Sequence, residues 1–258
     1  MTGAGSTPGD GPQLTHAGRV AVAVVTGAAR GIGQAIAVEL ARRGADVIAI
    51  DVDAADDTVA AVQAAGRRAV SLQADLSDPA QVKALDLLGF GGRVDVLVNN
   101  AGIFPARDVF ALDFAEWRHV QAVNLDSQFL MAKAVMGPMR EQSWGRIVNL
   151  ASNTLALAVP SMVAYLASKG AVVGLTRGLA TDLAPYGITV NAVCPTASRT
   201  PGMSHVGEER LQTIANMQAI KRIGTAQDVV GTVCFLSSED SAFLTGQTLV
   251  PDGGLMRV

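Results

Sequence analysis

The sequence predicts an α/β fold: one doubly wound parallel sheet with helices on both faces. Three observations point to it. Seven apolar, strand-like runs alternate with amphipathic helical stretches, and such alternation builds right-handed βαβ crossovers. Hydrophobic residues make up 49% of the chain and charged residues only 17%, the balance expected where strands are buried on both faces. A glycine-rich turn directly follows the first of these runs, where open α/β sheets place a ligand crevice.

Residues 1–17 are rich in Gly, Thr and Pro and read as a flexible leader. The domain then runs from 18 to 258, without an internal repeat or a second compositional regime. The expected strands lie at 20–26, 45–51, 68–73, 94–100, 145–151, 188–194 and 247–250. The expected helices lie at 32–43, 56–65, 79–88, 114–140, 161–184 and 226–236. Residues 196–220 break the alternation after the sixth strand and read as a substrate lid.

A net charge of −3 leaves no basic footprint for nucleic acid. No apolar run is long enough to span a membrane, and the start lacks the pattern of a signal peptide. Cys194 and Cys234 show no metal spacing and read as free thiols in a reducing cytoplasm. No metal-dependent reaction is suggested.

The first strand runs into Thr26-Gly27-Ala28-Ala29-Arg30-Gly31-Ile32-Gly33 and then a helix. The glycines let the backbone approach a pyrophosphate seated on the helix N-terminus. Asp51 ends the second strand. A carboxylate there accepts both hydroxyls of an adenosine ribose and repels a 2′-phosphate by roughly 1–4 kcal/mol at about 4 Å. This favours NAD(H) over NADP, although Arg30 in the turn could meet a 2′-phosphate. Asp75 and Leu76 either flank the adenine or form a helix cap region before Pro79. Asn99, Asn100, Ala101 and Gly102 either border the cofactor or form a generic turn.

Tyr165 and Lys169 stand four residues apart, on one face of a predicted helix. A cation beside a phenol stabilises the phenolate and lowers its pKa. Such a tyrosine exchanges a proton with an alcohol or a carbonyl. A lone YxxxK pair arises by chance in many helices, and it gains meaning only beside the glycine turn.

Together, TGAARGIG at 26–33, NNAG at 99–102, Ser152, YLASK at 165–169 and TGQTLVPDGG at 245–254 resemble the short-chain dehydrogenase/reductase family, in its classical branch. The likeness covers nearly the whole chain from about residue 18. It implies a Rossmann fold with a seven-stranded parallel sheet and a tetrad of Asn124, Ser152, Tyr165 and Lys169. In that tetrad Tyr165 is the general acid/base, and Lys169 binds the nicotinamide ribose and holds the Tyr165 pKa down. Ser152 orients the substrate oxygen, and Asn124 holds a helix open around a water. Pro195, Thr196, Ser198 and Thr200 fall on the loop beside the nicotinamide, with Thr200 at the carboxamide. The family commonly has Gly where this chain has Thr196, so the loop is expected to differ. Ala151 replaces a frequent second serine.

The substrate walls are expected from Ile103, Phe104, Asn153, Thr154, Leu155, Leu157 and Met162, with Met203, His205 and Met217 on the lid. They imply a small, mostly apolar alcohol or ketone, aromatic and cyclic bodies included. NAGIFP, FLMAKA and SNT resemble segments of the family's aryl-alcohol and pyridoxal 4-dehydrogenases. The competing enzyme reading is a 3-oxoacyl-thioester reductase, which Asp51 and the net charge oppose. A reading of another class, a non-catalytic NAD-sensing protein, is opposed by the presence of both Tyr165 and Lys169. Extended apolar helix surface at 114–140 and 161–184, with the C-terminal tail, implies a homotetramer.

Overall fold

A small hairpin leads into the domain: β1 (Thr15–His16) pairs antiparallel with β2 (Arg19–Val20). The computed structural model describes residues 14–204 and 206–256. Most of the expected leader, together with His205, lies outside the described residues. Residues 14–17, however, belong to the fold. Leu14 is 2% exposed and sits in the core, and its N–H donates to the Arg43 carbonyl at 2.7 Å. His16 stacks on Trp144 with ring centroids 4.5 Å apart. The apolar Leu14 side chain is what draws this piece of a polar segment inward.

Alternation then proceeds as the sequence predicts. β3 (Val22–Thr26), α1 (Gly31–Arg42), β4 (Asp46–Asp51), α2 (Asp56–Ala64) and β5 (Ala69–Gln73) form the first half. α3 (Pro79–Ala84) and β6 (Val96–Asn99) lead into α4 (Phe114–Gln121). A π-helical turn, Ala122–Asp126, joins α4 to α5 (Ser127–Glu141). β7 (Gly145–Leu150), α6 (Val163–Leu183) and β8 (Ile188–Val193) follow. Next come β9 (Ser198–Arg199), α7 (Glu208–Met217), β10 (Gly224–Thr225), α8 (Gln227–Leu236) and β11 (Thr248–Leu249).

The main sheet has the order β11-β8-β7-β6-β3-β4-β5, with every neighbouring pair parallel. Strand alternation divides its core. Ala23, Val25, Val47 and Val98 face α1 and α8 through Ile36, Leu40 and Val233, whereas Val24, Ile48, Leu97 and Ile147 meet Met131, Val135 and Met139 of α5. The order reverses between β3 and β6, which opens a crevice at the carboxyl ends of those strands.

Three boundaries differ from expectation. α3 stops at Ala84, where Leu85 turns extended (ψ 129°). Leu87 then dives into the core, and Gly91 and Gly92 take positive φ, so the chain cannot stay helical to 88. The helix expected at 114–140 is split by the π turn. The segment 196–220 holds α7, whose Leu211 and Ala215 bury one face, as well as β9, which pairs with β10. No helix among the described residues is long and apolar enough to cross a membrane.

Leu14→Ala should cost about 2–4 kcal/mol, the usual range for a buried leucine. Urea denaturation checks this, and unchanged stability would place residues 14–17 outside the cooperative fold.

Candidate active site

The glycine-turn side of the crevice is built by close backbone approach. Gly27 and Gly31 both take φ +64°, a conformation that glycine adopts without strain. A Cβ on Gly33 would fall 2.0 Å from the Gly27 carbonyl oxygen and 2.5 Å from Asn100 Nδ2. The neighbouring turn is bolted to this one. Thr26 Oγ1 accepts the backbone N–H groups of Asn100 and Ala101, each at 3.0 Å. Asn100 Nδ2 donates to the carbonyls of Thr26 (2.9 Å) and Gly27 (3.0 Å). Thr26 and Asn100 lie within the two quoted motifs, but their part in bracing one turn on the other is set by contacts that the motifs do not reveal. Thr200 closes the far side, its Cβ 3.5 Å from where a Gly31 side chain would begin. At the outer end Asp51 accepts from the N–H groups of Ala29 (2.9 Å) and Asp53 (3.1 Å). Arg30 pairs with Asp53 at 2.9 Å.

The other wall carries the polar group. Ser152 follows β7 and is 5% exposed, and its hydroxyl is the neighbour that favours ionisation of Tyr165 on α6. One turn later Lys169, 4% exposed, donates to the Leu150 carbonyl at 2.7 Å. Its Nζ stands 5.8 Å from the Tyr165 ring centroid. Asn124 lies inside the π turn and is fully buried. Its Oδ1 accepts from the Ile103 N–H at 2.8 Å, and its Nδ2 donates to the Ile103 carbonyl (2.8 Å) and Ser168 Oγ (3.0 Å). A Cβ on Gly102 would sit 3.2 Å from Asn124 Oδ1 and 3.5 Å from Lys169 Nζ. The four residues expected to form a tetrad therefore share one corner of the crevice. Phe104 meets the Tyr165 ring edge-on at 6.2 Å.

A protein-family model described as enoyl-(acyl carrier protein) reductase matches residues 27–256. A curated relative from Thauera aromatica is the (2S)-[(R)-hydroxy(phenyl)methyl]succinyl-CoA dehydrogenase subunit BbsD. It is 38% identical, with 90% of this chain and 95% of the relative covered. The chain is a member of the short-chain dehydrogenase/reductase family. Another member, the 3-oxoacyl-[acyl-carrier-protein] reductase of Escherichia coli, is 34% identical over 92% of this chain and 98% of its own. A solved structure from Beutenbergia cavernae, assigned as an NAD(P)-dependent gluconate 5-dehydrogenase and holding NADP at low occupancy, has a TM-score of 0.88 and 37% identity. The comparison covers 95% of this chain and 99% of that one.

Within this short-chain dehydrogenase/reductase, several expected contacts have side chains committed elsewhere. Leu76 is buried in the core beside Ile50 and Val82. Asn99 donates to Asn149 Oδ1 at 2.9 Å between two strands. Ser198 donates to the Thr196 carbonyl at 3.1 Å and is 3% exposed. Asn153, expected on a substrate wall, is buried and donates to Asp252 of the C-terminal turn at 3.2 Å. Asp75 is exposed, and its carboxylate, held below its usual range by Ser77, closes a local turn. Thr196 avoids positive φ. Its buried hydroxyl lies 3.2 Å from Gln218 Oε1, tying the start of the expected lid to its end beside Pro195. Thr154, Leu155, Met162 and Met203 stay partly exposed.

One electrostatic expectation is reversed. Burial pushes the Tyr165 phenol up, and the Ser152 hydrogen bond pulls it back only in part. The same burial lowers Lys169 from 10.5 to about 8. Lys169 spends a bond on the Leu150 carbonyl, and desolvation governs both groups before their mutual attraction does.

The sign of the resulting pH effect follows from linkage. Between about pH 8 and 10.5 the unfolded chain holds the Lys169 proton and the folded chain releases it, so this group's contribution to stability rises with pH. Cys234, raised to about 12, works in the opposite sense above its ordinary range. Subtracting a Lys169→Met variant isolates the lysine. The wild-type minus variant difference in unfolding free energy should rise by about 3 kcal/mol across that window. A flat difference in urea titrations would remove the buried, uncharged lysine.

Proposed function

We propose that the protein is an NAD-dependent dehydrogenase/reductase that interconverts a small, mostly apolar alcohol and its carbonyl compound, aromatic and cyclic bodies included. The observation that carries this reading is the meeting of Ser152, Tyr165 and Lys169 across the crevice from a glycine cradle with no room for side chains. The residues present fit a nicotinamide dinucleotide. The turn at Gly27–Gly33 would hold the pyrophosphate, Asp51 the adenosine ribose, Lys169 the nicotinamide ribose, and Thr200 the carboxamide. Bound there, the nicotinamide supplies the carbon that takes or gives the hydride.

The chain's own groups handle the oxygen. Tyr165 takes the alcohol proton as the carbonyl forms, or returns it in reduction. Ser152 donates to the same oxygen and fixes its approach. Lys169 stabilises the phenolate, and Asn124 keeps the π turn open beside it. Residues 196–220 act as a lid that excludes water. Phe104, Leu155, Met162 and Met203 offer an apolar wall, in keeping with the phenylmethyl alcohol in the Thauera relative's name.

Support for NAD comes from Asp51, which two backbone N–H groups fix at the strand end while both its oxygens keep lone pairs for ribose hydroxyls. Arg30, the group suited to a 2′-phosphate, is instead engaged by Asp53. The acyl-carrier-protein reductase reading carries the expectation of NADP, which Asp51 opposes.

Tyr165→Phe keeps the ring and removes the proton. Turnover should fall about 10²-fold or more while NADH binding survives, and a near-normal kcat would remove Tyr165 from this role. Asp51→Ala should relax the preference for NAD in kcat/KM measured with both cofactors; a wild type that prefers NADP would reject the cofactor assignment.

The protein is further proposed to be a homotetramer. Phe129 on α5 is 45% exposed, Phe243 before β11 is fully exposed, and Gly174 and Gly178 of α6 face open space. Light scattering at micromolar concentration should give the tetramer mass. A monomer would refute it, and a dimer would leave one of two interfaces standing.

A further inference from the structure

We propose that Thr154 is a positioning residue for Ser152: it fills the lone pairs of the Ser152 hydroxyl and thereby aims the Ser152 proton at the Tyr165 oxygen. The inference rests on the reading of Tyr165 as the acid/base and extends it to a residue outside the expected tetrad.

A serine hydroxyl has one proton to give and two lone pairs to fill. Thr154 approaches Ser152 Oγ twice, with its backbone N–H at 3.2 Å and its Oγ1 at 2.8 Å. Ser152 is also the neighbouring hydroxyl that favours the ionised form of Tyr165. When Tyr165 is a phenolate it can only accept, so Ser152 must donate to it. The Ser152 proton is then spent, and the short contact to Thr154 requires the threonine to be the donor. Both lone pairs of Ser152 are filled from one side, and its proton is turned into the corner that holds the Tyr165 oxygen and, once substrate is bound, the substrate oxygen. With a neutral Tyr165 the hydroxyl chain can also run the other way. Thr154 therefore favours the phenolate over the phenol, and aligned hydroxyls strengthen one another in a low-dielectric corner.

The turn that carries Thr154 is well fixed. Ser152 caps a 3₁₀ turn, Asn153–Ala156, from extended backbone at φ −163°. The Leu157 N–H closes that turn on the Thr154 carbonyl at 3.1 Å. Asn153, between the two hydroxyl residues, is anchored to Asp252. The charged and titratable groups bearing on Tyr165 are Lys169 from α6 and Cys194 from the end of β8, with Asp252 of the C-terminal turn acting on Cys194. Replacing Thr154 leaves all of them in place.

The chain has two tyrosines, and the other, Tyr186, is 43% exposed. In a Tyr186→Phe background the ultraviolet absorbance of phenolate therefore reports Tyr165 alone, with no substrate needed. Thr154→Val removes the donor and keeps the shape, whereas Thr154→Ser restores the donor. The Tyr165 midpoint should rise by about half to one unit in the valine variant, the worth of one hydrogen bond to the charged form, and return in the serine variant. The low-pH limb of alcohol oxidation should shift equally, and kcat near neutral pH should fall about three- to tenfold with KM little changed. Circular dichroism at each pH keeps the readings to folded protein, and the oxidation limb supplies the midpoint if unfolding comes first. An unmoved midpoint, a serine variant as impaired as the valine one, or a change in KM alone would overturn the proposal and leave Thr154 as a wall of the cleft. A shifted phenol in a protein that oxidises no alcohol would support the positioning role and count against the proposed activity.

Discussion

The cleft depends on the absence of one carbon atom at Gly33. A methyl group there would collide with the Gly27 carbonyl at 2.0 Å and with the Asn100 amide. Because the space is free, α1 starts directly against the glycine turn, and its N-terminal N–H groups open onto the crevice. The contact propagates. Asn100 can bridge Thr26 and Gly27 only at this separation, and this bridge sets where Ala101 and Gly102 lie. Gly102 in turn leaves room for Asn124 Oδ1 and Lys169 Nζ to converge on one spot. The glycine turn and the polar corner of Asn124 and Lys169 are thus ends of one run of close contacts.

At the far end of that run the fold accepts an electrostatic cost. Lys169 is almost fully buried and receives one carbonyl as its partner, and no carboxylate is paired with it among the described residues. At Asp46, 1% exposed, the chain instead pairs the buried charge with Arg67 and Arg68, each at 2.7 Å. Beside Tyr165 the Lys169 amine is left to a single carbonyl, and burial lowers its pKa to about 8.

The fold was legible because its signal is local. Apolar runs of strand length, separated by amphipathic stretches, identify β3 to β8 within a residue or two, and their crossovers apart from the early end of α3 and the π turn between α4 and α5. Tyr165 and Lys169 stand out by their helical spacing and the glycine turn by its place after the first strand, whereas Asn124 and Ser152 are singled out only by the resemblance to the family. What escaped reading is set by distant partners or by single side chains. α7 is short and mostly exposed, with only Leu211 and Ala215 as its buried signal. The inward turn of 14–17 hangs on Leu14 alone. Asn99, Ser198 and Asn153 sit at positions that border a cleft, yet their partners, Asn149, Thr196 and Asp252, decide where they point. The Tyr165 phenol moves against the expectation from its lysine neighbour because burial, which no spacing reveals, outweighs proximity.

The turn at 252–256 ties a late segment of the chain to the candidate site. Asp252 accepts the N–H groups of Gly254, Leu255 and Met256 and the Asn153 amide, while β11 closes the sheet edge on β8. The residue next to Ser152 is thus anchored by a residue 99 positions further along the chain. A nascent chain can pair its first six main strands before Asp252 has been made, but the turn beside Ser152 lacks its anchor until then. Sheet and cleft are therefore completed at different moments of synthesis, the sheet largely first.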